Sequence, residues 1–224
     1  MVIKMSNFLS RKIEWRNVFF FSLLFIIYGC SACIQFTSSM NIDAANALHE
    51  ATLLFSGGKY FYQFYETTPP MFFYLYFPIV EAIKYFHSNH FFTIYFLFYA
   101  ILTTLILVIS AHLLKIKNYN RTKIHIMLIG LAAIILLQPP FYFGQREFVT
   151  FILTIPYYLL FSNRLAGHDV KMTIALFVGL LAGIGFSIEP HFCLAFLLSE
   201  GYLVFFKKPD RPFLRIESGF PKVS

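Results

Sequence analysis

The sequence predicts an all-α, polytopic membrane bundle of about six spans plus one external juxtamembrane or re-entrant helix. Three observations lead there. Hydrophobic residues make up 58% of the chain and charged residues only 13%, against roughly 25% charged in a soluble domain. Long apolar runs recur along the chain, separated by short polar clusters. The basic residues sit in those clusters in a pattern that distinguishes two sides of a membrane.

Length and composition bound the rest. A chain of 224 residues allows one domain, and a mean hydropathy of +0.66 excludes an ordinary soluble enzyme, a disordered regulator and a disulfide scaffold. The net charge is +7. Its Lys and Arg are dispersed between apolar runs and form no single-faced footprint, so no nucleic-acid partner is expected; the expected partner is the lipid bilayer.

The elements follow in order. Residues 1–16 are a basic, cytoplasmic N-terminus, and 17–206 form the membrane domain. Val18–Phe36 is the first span, read as a retained anchor because no convincing small-x-small cleavage site follows it. Cys30-Ser31-Ala32-Cys33 lies inside this apolar run without a βαβ context, so it reads as packing and not as a redox motif. Residues 37–90 form the external loop. Its first part is the one long polar stretch, and Ala44–Phe55 within it is a helix-compatible run ended by Gly57-Gly58.

Met71–Phe86 is apolar but is expected not to cross. If all seven apolar runs crossed with the N-terminus inside, the cytoplasm would hold 6 Lys/Arg and the exterior 12; if this one does not cross, the split becomes 15 and 3. The positive-inside rule favours the second. The segment also opens with Pro69-Pro70, is interrupted by Pro78 and carries Glu81 and Lys84. Phe91–Leu114, Ile124–Leu137, Phe148–Phe161, Met172–Ile188 and Phe192–Phe206 are the later spans, two of them short enough to need extension at their ends. Residues 207–224 form a cytoplasmic tail.

This topology collects six of the eleven acids outside: Asp43, Glu50, Glu66, Glu81, Glu147 and Glu189. Charge at a hydrocarbon boundary is costly and points to function. Asp43 reads either as a helix N-cap or as a reactive carboxylate. Glu66, before Thr67-Thr68-Pro69-Pro70, either favours a helix dipole or acts in the same chemistry. Arg146 is the one outer Arg, suited to bidentate phosphate capture or to a surface pair with Glu147. Glu189-Pro190-His191 forms an outer turn. Glu200 lies within the last span. His87 and His90, three apart, are a weak metal signal.

Taken in order, these residues resemble the C-type (GT-C) membrane glycosyltransferases, the superfamily of the protein O-mannosyltransferases and the lipid A aminoarabinose transferases. The resemblance rests on Asp43 in the first external loop, Ser56-Gly57-Gly58-Lys59-Tyr60, Tyr65-Glu66-Thr67-Thr68-Pro69-Pro70, Gly144-Gln145-Arg146-Glu147 and Gly183-Ile184-Gly185-Phe186-Ser187-Ile188-Glu189-Pro190-His191. It runs from about Asn17 to Phe206 and covers only the front part of a usual family member, which has further spans and often an external soluble domain. Glu189 departs from the pattern, where a basic residue is expected beside Pro-His.

The resemblance implies transfer of a sugar from a polyprenyl-phosphate donor to an acceptor at the outer face of a bacterial inner membrane, with both termini cytoplasmic. It assigns catalysis to Asp43 and Glu66, and substrate or phosphate contact to Arg146, Gln145, Glu147 and His191. A divalent metal at Asp43 and a partner membrane subunit are further expectations. Two alternatives stand beside it: a truncated, inactive form of such an enzyme, and a non-enzymatic membrane protein such as a small transporter, flippase component or scaffold, which Glu200 would favour.

Overall fold

The computed structural model describes residues 2–59, 62, 69–86 and 91–206, with backbone only for 2–14, 204 and 206. The described residues are all-helical: α1 (Val2–Phe36), α2 (Ile42–Phe55), α3 (Met71–Leu75), α4 (Phe77–Phe86), α5 (Phe91–Ile116), α6 (Arg121–Leu136), α7 (Arg146–Leu165), α8 (Met172–Ile188) and α9 (Cys193–Phe206), with a 3₁₀ turn at Pro190–Phe192.

Three of these helices are long and apolar enough to cross a membrane: Trp15–Phe36, Phe91–Ile116 and Arg146–Leu165. This points to membrane association. Met172–Ile188 is a shorter apolar helix. The expected crossings at Ile124–Leu137 and Phe192–Phe206 form helices of 16 and 14 residues, about 24 and 21 Å long at 1.5 Å per residue. So length and composition single out three of the six expected spans. The short run Phe148–Phe161 gains its missing length at both ends, as α7 extends to 20 residues.

Met71–Phe86 forms two short helices, of 5 and 10 residues, that meet at Tyr76. Pro78 sits at the second position of α4, where its missing N–H costs nothing. Helix α2 ends where the glycine pair predicts. Gly57 takes φ +90°, and the Gly58 and Gly57 amides return to the Leu53 and Leu54 carbonyls, a Schellman closure.

Helix α5 is the centre of the packing. It contacts α1, α4, α6 and α7, while α7 and α8 share the most extensive interface. The main core joins Tyr76, Tyr95, Tyr99, Phe143 and Phe148. Their rings meet edge-on or tilted, with centroids 4.9 Å apart for Tyr95–Tyr99 and 5.2 Å for Phe143–Phe148. Such aromatic pairs contribute about 0.5–1.5 kcal/mol beyond burial. A second core of Leu113, Tyr157, Leu160, Val178 and Phe186 lies between α5, α7 and α8.

Polar contacts sort the helix ends into two groups. At one end, Arg16 Nη1 donates to Thr122 Oγ1 at 3.2 Å and Lys117 Nζ to Ser162 Oγ at 2.6 Å. This end carries Arg16, Lys117, Arg121, Lys123 and Arg164. At the other, Gln145 reaches Asp43 and Arg146 reaches Glu189. The two ends therefore differ in charge as the loop pattern predicts: one basic, the other rich in acids.

A polar seam holds α1 against the end of α6. Ser31 Oγ donates to the Leu136 carbonyl at 2.7 Å, Gln35 Nε2 to Gln138 O at 3.0 Å, and Asn41 Nδ2 to Phe141 O at 2.6 Å. Helix C-termini leave carbonyls unpaired, and α1 satisfies those near the end of α6. Ser31 and Gln35 are four residues apart, on one face of an otherwise apolar helix.

Candidate functional site at the acidic end

Asn41, not Asp43, is the N-cap of α2. Its Oδ1 accepts from the Asp43 and Ala44 amides at 2.7 and 3.3 Å. The cap reading of Asp43 is thereby corrected, because the residue two places earlier does that work. Asp43 is exposed in the first turn of α2, with its carboxylate free for other contacts. A negative charge suits this position beside the helix N-terminus.

The second component is the loop between α6 and α7. Gly144 takes φ +78° and is buried, close against Tyr95 and Tyr99. A Cβ there would collide with the Tyr95 hydroxyl and come within 2.6 Å of Tyr95 Cζ. Glycine is required here both by the backbone angle and by the close approach.

Three tyrosines hold this loop by its carbonyls. Tyr76 Oη donates to Gly144 O at 3.2 Å, Tyr95 Oη to Phe143 O at 3.2 Å, and Tyr99 Oη to Gly144 O at 3.5 Å. All three side chains are buried. Burial pushes the Tyr76 phenol up to about 12, the neighbouring tyrosine hydroxyls opposing this more weakly, so it stays a protonated donor at any physiological pH.

The loop delivers Gln145 and Arg146 to Asp43. Gln145 Nε2 donates to Asp43 Oδ2 at 3.2 Å across 102 residues of sequence. Gln145 is also the N-cap residue of α7, but its side chain makes no capping bond; it is spent on Asp43 instead. Arg146 and Glu147 open the first turn of α7.

Arg146 is held through its Nε. Glu189 Oε1 lies 2.8 Å away and Glu147 Oε1 3.2 Å away. The Glu189 contact is a charge pair, and among the described residues its Oε1 is buried without a hydrogen-bond partner. Glu189 is 7% exposed and Arg146 43%. Among the described residues the guanidinium's hydrogen bond is made at Nε, and its terminal nitrogens take none. His191 Nδ1 lies 3.1 Å from the other Glu189 oxygen, an ion pair when the ring is protonated.

The structure thus brings together Asp43, Gln145, Arg146, Glu147 and His191. Glu66, His87 and His90 lie outside the described residues. Glu189, the departure from the expected motif, is the buried anchor of Arg146 and the residue through which His191 joins the group. The three tyrosines carry no local sequence signal for this role; for the Asn41 cap, an Asn immediately before a helix is the readable hint.

Among the described residues no group of three His, Cys, Asp or Glu side chains could hold a metal ion. The positive charge beside Asp43 comes from Arg146, and the third expected carboxylate, Glu147, points to that guanidinium.

No protein-family model, curated protein or solved structure matches this chain.

Proposed function

We propose that the protein is a membrane glycosyltransferase of the C-type kind, transferring a sugar from a polyprenyl-phosphate donor to an acceptor at the acidic end of its bundle. In this reading six segments cross, α3 and α4 stay at the outer surface, and both termini are cytoplasmic. The observation that carries the reading is the Gln145–Asp43 contact: it sets an exposed carboxylate beside an Arg whose terminal guanidinium nitrogens take no hydrogen bond among the described residues, from elements about 100 residues apart.

Each part then has a task. The exposed Asp43 carboxylate accepts the acceptor's proton as the acceptor oxygen attacks the anomeric carbon. The bond from that carbon to the lipid phosphate breaks, and its electron pair leaves on the phosphate oxygen. Arg146 meets that growing charge through its terminal nitrogens. The uncapped first turn of α7 adds backbone N–H groups on the same side. Gln145 fixes the Asp43 carboxylate and keeps its own amide oxygen for a sugar hydroxyl. Glu189 neutralises and aims Arg146, and His191 balances Glu189. Glu66, as a second carboxylate in the same loop, completes the assignment.

Asp43→Asn keeps the Gln145 contact and removes the base. Purified protein should lose transfer from a labelled polyprenyl-phosphate sugar while the amount in the membrane is unchanged. Transfer at the normal rate would refute the assignment.

A further inference from the structure

A groove of about 750 Å³ runs between α7, α8 and α9, distinct from the Asp43 site. We propose that it holds a zwitterionic phospholipid, with the headgroup across Arg164 and Glu200 and one acyl chain laid along α8. The proposal rests on the membrane reading of the chain but not on the transferase chemistry.

The floor is built for a chain. Ala175, Gly179 and Gly183 recur every four residues on α8 and line the groove. A Cβ at Gly179 or Gly183 would meet nothing within 4 Å. These positions therefore do not serve close packing inside this molecule, although small residues at that spacing usually do. From Ala175 to Ser187 the groove follows α8 for about 18 Å, most of the helix's length and long enough for an extended acyl chain. Phe186 and Phe196 wall the groove with their rings 5.6 Å apart. Leu194 and Leu198, outside the groove on α9, are exposed, as a helix facing acyl chains requires. Water alone is a poor occupant: about 25 molecules at roughly 30 Å³ each would sit against mostly apolar wall.

The headgroup end is polar on both signs. Arg164 Nη1 lies 3.6 Å from Glu200 Oε1, and Tyr157 Oη donates to that same oxygen at 2.8 Å. Both contacts reach Oε1, so among the described residues Oε2 is open. Arg164 and Glu200 both line the groove, so one cation and one anion stand side by side there and complement a phosphate beside an ammonium. An anionic headgroup without the ammonium would meet Glu200 as a repulsion. A neutral diacylglycerol would satisfy neither group. Arg164 closes α7 at the basic end of the bundle, so this headgroup lies in the leaflet opposite to the Asp43 site.

The full chain in nanodiscs of equal phosphatidylethanolamine and phosphatidylglycerol, extracted and washed, should retain phosphatidylethanolamine about tenfold over its share relative to phosphatidylglycerol, by native mass spectrometry. Glu200→Gln should erase that preference. Gly179→Leu fills open space on a helix, keeps the fold, and should lower retention of both lipids about tenfold. Equal retention of the two lipids by the unaltered chain, an unchanged ratio in Glu200→Gln, or full retention in Gly179→Leu each overturns the proposal. A lipid-free dimer that Gly179→Leu dissociates would assign the groove to a second copy and overturn it too.

Discussion

Gly144→Ala is the sharpest perturbation of the candidate site that avoids its chemistry. Two costs add. An L-residue at φ +78° costs about 1–2 kcal/mol. The new methyl also drives into Tyr95, with Tyr99 Cε2 only 3.2 Å away, and overpacking of this sort costs about 1–3 kcal/mol. The sum, about 2–5 kcal/mol, is a large part of the roughly 5–15 kcal/mol that holds a protein folded. Melting of the detergent-solubilised protein should fall by roughly 5–15 °C. Gly130→Ala is the control, since a Cβ there meets nothing within 4 Å on a helix; it should hold or raise the melting temperature. Tyr95→Phe should couple to Gly144→Ala, the double variant losing less than the two singles together, because the colliding hydroxyl is gone. Relief should be partial, as Cζ remains within 2.6 Å of the new methyl. If Gly144→Ala melts with the Gly130→Ala control, the close packing of the tyrosines on this loop is wrong.

The carboxylates around Arg146 should behave differently from one another. Glu189→Gln removes the buried partner at 2.8 Å; allowing for the half-exposed Arg146, the loss is about 1–2 kcal/mol, read as roughly tenfold slower transfer. Glu147→Gln, at an exposed side chain, should leave transfer within about twofold or raise it; equal losses in the two variants would show that Glu189 does not aim Arg146. Asn41→Ala removes the α2 cap and the bond to Phe141, each worth about 1 kcal/mol, and should lower melting by roughly 4–8 °C. Asn41→Asp keeps the cap and loses only the donor, so about half that drop is expected; a drop as large as that of alanine would mean that Asn41 does not cap α2.

What could be read from sequence was the part governed by local composition. The apolar runs at Val18–Phe36 and Phe91–Leu114 became long helices because hydropathy and length act over one segment. Gly57-Gly58 stops α2 by a mechanism confined to six residues. Pro78 broke Met71–Phe86 into two short helices for a similarly local reason, since its ring cannot follow on a continuous helix through Tyr74. The expected spans at α6, α8 and α9 form helices of 16, 17 and 14 residues, below the about 20 that a straight crossing takes. The site was only half readable. Each of Asp43, Gln145 and Arg146 stood out as a charged or polar group at an apolar boundary. Their meeting depends on tyrosine hydroxyls from α3–α5 reaching carbonyls that no pattern marks. Glu189 looked like a departure because a motif cannot show that a buried acid serves an Arg over 40 positions earlier.

The seam from α1 to the end of α6 also orders events in time. Ser31, Gln35 and Asn41 find their acceptors between Leu136 and Phe141, so roughly a hundred residues must be synthesised before α1 can be zipped in place. Until then Asn41 has no Phe141 carbonyl, and Asp43 has neither Gln145 nor Arg146 nearby. Contacts of such separation form late, after the intervening loop has been closed. A growing chain therefore carries Asp43 unaligned until most of the bundle has been made. The group around Asp43 comes together only when the aromatic loop docks, which ties the geometry of the candidate site to completed assembly.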